Sequence, residues 1–121
     1  MITNNGLNLM RDLLAGTNQT LDYIAIGSNS DVALTENTLL GNELNRVTAQ
    51  SFREYNTGVV NDVGVLKKRA LLRATNRNDF REVGLLTART GGTLFNRIVT
   101  SSTITHSSGR EIRVDIEYQI R

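Results

Sequence analysis

The chain has no cysteine, no proline and no tryptophan. Without cysteine there is no disulfide framework and no thiolate metal site. Without proline, every turn must be made by Gly, Asn, Asp and Ser. Aromatics are sparse, at three Tyr and three Phe, so little is available to stack the bases of a single-stranded nucleic acid. Charge of one sign is not in excess either. Fourteen Lys and Arg stand against twelve Asp and Glu, for a formal charge of +2. Non-specific nucleic-acid binders carry a larger, clustered surplus. No apolar run approaches the roughly 18–20 residues that cross a bilayer. Residues 1–6 lack the basic and apolar regions of a signal peptide. The expectation is a soluble protein with no membrane partner, made in the cytoplasm.

What is present suits one mainly β domain over 1–121. A chain of this length buries about two thirds of its unfolded surface. Thr, which favours strands, and Asn, which favours turns, are both abundant. A short amphipathic helix is expected over 4–15. Leu7, Met10 and Leu14 fall at i, i+3 and i+7, with Leu13 beside them. Thr3, Asn4 or Asn5 can cap its start and Gly16 its end. The helix is expected to cover one edge or end of a sheet.

From 21 to 121 the pattern reads as mostly antiparallel strands. Segment 21–27 is apolar on both faces, as in a strand buried on two sides. Segment 35–45 has room for a brief helical turn, which Gly41 keeps short. Further strands are expected over 47–55, 63–75, 80–88 and 93–105, the last as one strand or a bent pair. Lys68 falls on the apolar face of 63–75, which suggests a bulge or an edge position. Gly84 suggests a bulge or a close backbone approach. Gly91-Gly92 has the character of a two-residue hairpin turn. The clearest signal is 111–121. There Ile112, Val114, Ile116, Tyr118 and Ile120 alternate with Arg113, Asp115, Glu117, Gln119 and Arg121. The fold class is therefore an antiparallel β-sandwich or partly open barrel with one short N-terminal helix.

Constellations for chemistry are few. The lone His106 sits in a Ser-rich stretch and is expected to be a solvated turn residue, since Ser107 and Ser108 are too close in sequence to form a triad with it. One His and no Cys leave only carboxylates for a metal, and Asp31, Glu36, Asp62, Asp79 and Glu82 lack calcium-loop spacing. Asp115 and Glu117 share one strand face, but a flat face with Arg113 and Arg121 on it is no cleft. The glycines match no phosphate-binding loop. Lys67, Arg69 and Arg73 form a basic strand face, with Lys68, Arg77 and Arg81 nearby. That group reads as a solvated face opposite acidic partners such as Glu54, Glu82 or Glu117, or as a subunit interface, before it reads as a phosphate contact. No catalytic residue, cofactor or metal site is expected.

Two segments carry a resemblance. Ile2-Thr3-Asn4-Asn5-Gly6-Leu7 followed by Tyr23-Ile24-Ala25-Ile26-Gly27, and then Leu40-Gly41-Asn42-Glu43, form the first. Glu82-Val83-Gly84-Leu85-Leu86 with Leu94-Phe95-Asn96-Arg97 forms the second. Both resemble small virion proteins of tailed bacteriophages, in the tail-fibre, tail-collar and baseplate-associated group. Leu86 stands where that group often has an aromatic, and Tyr118 where it often has a Trp. The resemblance implies a non-enzymatic structural subunit of the virion, assembled in the host cytoplasm. It also implies self-association into a cyclic homo-oligomer, trimer or hexamer, beside neighbouring virion proteins. A sequence that stops at Arg121, with no fibre or tip domain, suggests an adaptor, collar or baseplate role. A capsid decoration (cement) protein is the alternative, and a receptor- or carbohydrate-binding module a further one. The expected subunit interface comprises Leu7, Met10 and Leu14 of the helix and Arg113, Asp115, Glu117 and Arg121 of the last strand.

Overall fold

A computed structural model describes the backbone at residues 1–51, 59–60, 63–73 and 78–120, and side chains at 1–49, 68–73 and 78–117. Among the described residues one helix, α1 (Asn4–Leu14), precedes eight strands: β1 (Tyr23–Gly27), β2 (Glu43–Thr48), β3 (Gln50–Ser51), β4 (Val59–Val60), β5 (Val63–Arg73), β6 (Asn78–Leu86), β7 (Leu94–His106) and β8 (Glu111–Ile120). The expectations that fall on 52–58, 61–62, 74–77 and Arg121, Glu54 and Arg77 among them, lie outside the described residues.

The strands form two antiparallel sheets. The first runs β2-β1-β6-β7. In the second, β3 and β4 line one edge of β5 and β8 lines the other. Among the described residues no barrel closes, and the fold is mainly β and sandwich-like with one N-terminal helix. The chain changes sheets at Ala49, between β2 and β3, where its amide donates to the Asp22 carbonyl at 2.6 Å. Ile24 and Ile26 of β1, Leu72 of β5, Val83 and Leu85 of β6 and Ile116 of β8 meet in the main core, together with Leu9 of α1. The opposite face of the first sheet is also covered. Ala25, Leu86 and Leu94 pack there against Leu40 from the 28–42 loop. Strand β1 is therefore buried on both faces, as its two-sided apolar pattern predicts.

The helix starts where Thr3 caps it, the Thr3 hydroxyl accepting from the Gly6 amide at 2.9 Å. It ends at Leu14, and Gly16 follows with a positive φ of 102°. It lies along the outer edge of β7, where the Thr3 amide donates to the Phe95 carbonyl at 3.0 Å and Ile2 bridges Asn96. An edge that would otherwise be open for pairing is thus covered. Gly6 makes the approach possible, because a Cβ there would collide with the Phe95 carbonyl oxygen. The face turned inward is a correction to the expected stripe. Gly6 and Leu9 are buried and Met10 packs partly on the core, whereas Leu7 is 52% and Leu14 91% exposed. The backbone contacts with β7 fix the helix rotation, and the apolar spacing does not.

Other expectations are corrected in the same way. Segment 35–45 holds no helix: an isolated turn closes with the Asn37 amide on the Leu34 carbonyl at 3.1 Å, and β2 begins at Glu43. Lys68 is neither at an edge nor at a bulge. It pairs in continuous register with Ile116 on one side and Ser51 on the other. The buried stem carries the amine to the rim, 3.7 Å from Asp22. Gly84 is a close approach, flanked by the Leu94 and Leu40 side chains. Gly91 and Gly92 do adopt positive φ, but within a longer link, 87–93, closed between Thr87 and Thr93. Segment 93–105 is one strand with a bulge: from Phe80↔Ile104 to Glu82↔Val99, two steps along β6 meet five along β7.

Candidate functional site

The expected basic face and the expected charged interface prove to be one surface. β5 and β8 run antiparallel, with Lys67 opposite Glu117, Arg69 opposite Asp115 and Arg73 opposite Glu111. The Arg69 guanidinium donates to both Asp115 oxygens, at 2.9 and 3.4 Å. Arg73 reaches Glu111 at 3.2 Å and Arg113 reaches Asp115 at 3.5 Å. The side chain of Lys67 lies outside the described ones, as does Arg121. Each exposed pair is worth about 0.2–1 kcal/mol. The larger consequence is that the positive charge is answered on its own face. Arg81 does not join this group; it belongs to the first sheet and donates to the Thr100 carbonyl at 2.8 and 3.2 Å.

Glu82, expected as a solvated partner of that face, is fully buried on the far side of the first sheet. It forms an ion pair with Arg97, Nε to Oε1 at 2.9 Å, and both side chains are almost wholly shielded from water. Oε1 also accepts the Gly41 amide at 2.7 Å, and Oε2 accepts the amides of Asn42 at 2.8 Å and Asn29 at 3.0 Å. The Arg97 guanidinium reaches further into the same loop, donating to Asn29 Oδ1 at 3.0 Å, the Val32 carbonyl at 3.2 Å and Asn37 Oδ1 at 3.3 Å. Gly27 leaves room for the carboxylate, since a Cβ there would lie 2.5 Å from Glu82 Oε2. Burial on its own raises the Glu82 pKa. The hydrogen bonds from Arg97 and from the Asn42, Gly41 and Asn29 amides outweigh it and hold the group below the usual glutamate value.

These contacts pin loop 28–42, which holds Leu40 inward and turns Val32, Leu34 and Leu39 outward, at 78%, 52% and 66% exposure. Leu39 stands between two surface hollows of about 340 and 420 Å³, both also lined by Thr38 and Gly41. On the far side of the second hollow, Arg46 fixes link 87–93 by donating to the Ala88 and Gly91 carbonyls at 2.8 Å each. Its other nitrogens hold Glu43 at 2.7 and 3.1 Å.

No protein-family model, curated protein or solved structure matches the chain.

His106 is a correction: it is buried, not solvated, because β7 extends through it and the turn begins at Ser107. Its Nε2 lies 2.6 Å from the Arg110 carbonyl, while Nδ1 is buried with no partner. Among the described residues no cluster of three His, Asp or Glu could hold a metal, and no helix is long and apolar enough to cross a membrane. Buried Lys68, Glu82 and Arg97 are each committed to an ion pair. The sequence reading does not pair Glu82 with Arg97: it places Glu82 opposite the basic face of 63–75 and gives Arg97 no partner. The available signal was one charge of each sign inside the apolar runs 82–86 and 94–99.

Proposed function

We propose that this protein is a non-enzymatic structural subunit of a tailed-phage virion, of the tail-fibre, tail-collar or baseplate-associated kind, acting by packing against copies of itself and neighbouring virion proteins. The observation that supports this best is the use made of the buried charges. Glu82 and Arg97 hold loop 28–42 in place while it displays Val32, Leu34 and Leu39 to the outside. Apolar side chains exposed on a pinned surface are suited to docking, because little entropy is lost when a partner covers them. The segments that carry the phage resemblance meet at this point: Gly27, Gly41, Asn42, Glu82 and Arg97 all belong to them. The mutual neutralisation of β5 and β8 weighs against a phosphate-binding role.

Mass spectrometry of gradient-purified particles from the culture that encodes the chain tests this reading. The chain is expected in a fixed ratio to the tail proteins, with immunogold label at the tail. Absence from particles contradicts the proposal, and label spread over the capsid shell replaces it with the decoration alternative.

A further inference from the structure

Among the described residues most carboxylates are answered. Asp12, Asp22, Glu43, Glu82, Glu111 and Asp115 each meet an Arg or a Lys, and Asp79 and Glu117 also have partners. Asp31 and Glu36 are the exceptions. Both are exposed, and neither carboxylate makes a hydrogen bond or an ion pair among the described residues. Both line the same hollow, of about 340 Å³, together with Val32, Leu34 and Leu39. Arg97 lines it too, but its charge is already answered by Glu82. The hollow therefore carries two unmatched negative charges among three exposed apolar side chains.

Its shape is fixed from within. Asn29 Oδ1 accepts the Asp31 amide and Asn37 Oδ1 accepts the Leu34 amide, at 2.8 Å each, and the same two oxygens accept from the Arg97 guanidinium. A partner meets a preformed surface and loses little entropy in ordering it. The chain's own basic strand face is not the match, because its arginines already hold Asp115 and Glu111. We infer that this hollow docks a basic segment of a neighbouring virion protein, in which an arginine or lysine is flanked by apolar residues. The cationic head meets Asp31 and Glu36, while its aliphatic stem and the apolar neighbours cover Val32, Leu34 and Leu39. The two carboxylates select the sign of the partner and set its orientation. The inference rests on the packing-subunit reading and adds to it a site and the chemistry of the partner.

A magnetic-resonance titration of the whole isotope-labelled chain with the synthetic peptide acetyl-Leu-Arg-Leu-Arg-Leu-amide tests it. Saturable shifts are expected in the backbone amides of residues 31–39, and they are expected to weaken as salt is raised. The same peptide with glutamine in place of both arginines is expected to bind about fivefold more weakly or worse. Asp31→Asn combined with Glu36→Gln is expected to weaken the arginine peptide by about the same fivefold or more, the loss of two exposed pairs. The circular dichroism spectrum of that double variant is expected to be unchanged, because both side chains are exposed. Shifts that lie elsewhere or fail to appear, equal binding of the glutamine peptide, or a double variant that binds like wild type overturns the inference. Two further results overturn it by replacing the occupant. Magnesium chloride alone reproducing the shifts makes the hollow a metal site. A concentration-dependent dimer in sedimentation velocity that the double variant loses makes the occupant a second copy. The packing-subunit reading fails separately, if the chain is missing from purified particles.

Discussion

Glu82 is a carboxylate without access to water that is nonetheless held ionised, because its two oxygens accept three backbone amides and an arginine. Removing one member of such a pair leaves the other charge buried and unanswered, at a cost of about 3–5 kcal/mol. Glu82→Gln is expected to lose stability of that order in urea denaturation. Because its folded pKa is depressed, Glu82 contributes stability that is fully present above the ordinary glutamate value and is lost as pH falls through the folded one. Wild type is therefore expected to lose more melting temperature between neutral pH and about pH 3 than Glu82→Gln does. Equal losses contradict this assignment. Strand pattern alone does not separate Glu82 from the exposed Glu117; the one hint is that Glu82 adjoins an apolar run while Glu117 lies in a strict alternation. Both sit in strands, and the pairing of β6 with β1 and β7 is what places Glu82 on a covered face. His106 was misread for a related reason: the turn residues after it, not His106 itself, end the strand.

At the scale of elements, strand alternation was a better guide than helical spacing. The reading of β8 holds through the described side chains: Ile112, Val114 and Ile116 turn inward, while Glu111, Arg113, Asp115 and Glu117 turn outward. A period of two leaves a strand only two faces, so register and burial are settled together. A helix has a continuous choice of rotation. In α1 the bonds from residues 1–3 to β7 set that choice, against the apparent stripe of Leu7, Met10 and Leu14. Leu9→Ala is accordingly expected to cost about 2–5 kcal/mol, and Leu14→Ser to stay within about 0.5 kcal/mol of wild type. Chemical denaturation of the two variants checks this. If Leu14→Ser were the more damaging, the rotation described for α1 would be wrong. The expected bulge or edge at Lys68 failed because a lysine reaches water along its own stem without any distortion of the strand.

At the scale of the molecule, segments far apart in sequence serve one end of the first sheet. Loop 28–42, the end of β1, the middle of β6 and the start of β7 all reach the Glu82–Arg97 pair, and the Met1 carbonyl accepts the Arg97 amide at 3.0 Å. A surface loop is usually the first part of a domain to open. Here the most deeply buried charges are spent on keeping one closed, which is the central claim of the packing-subunit account. Amide hydrogen exchange on the wild-type chain at neutral pH tests it directly. The amides of Asn29, Gly41 and Asn42 are predicted to be protected to the same degree as those of β1. Exchange at the rates of an open surface loop, with β1 still protected, would contradict it.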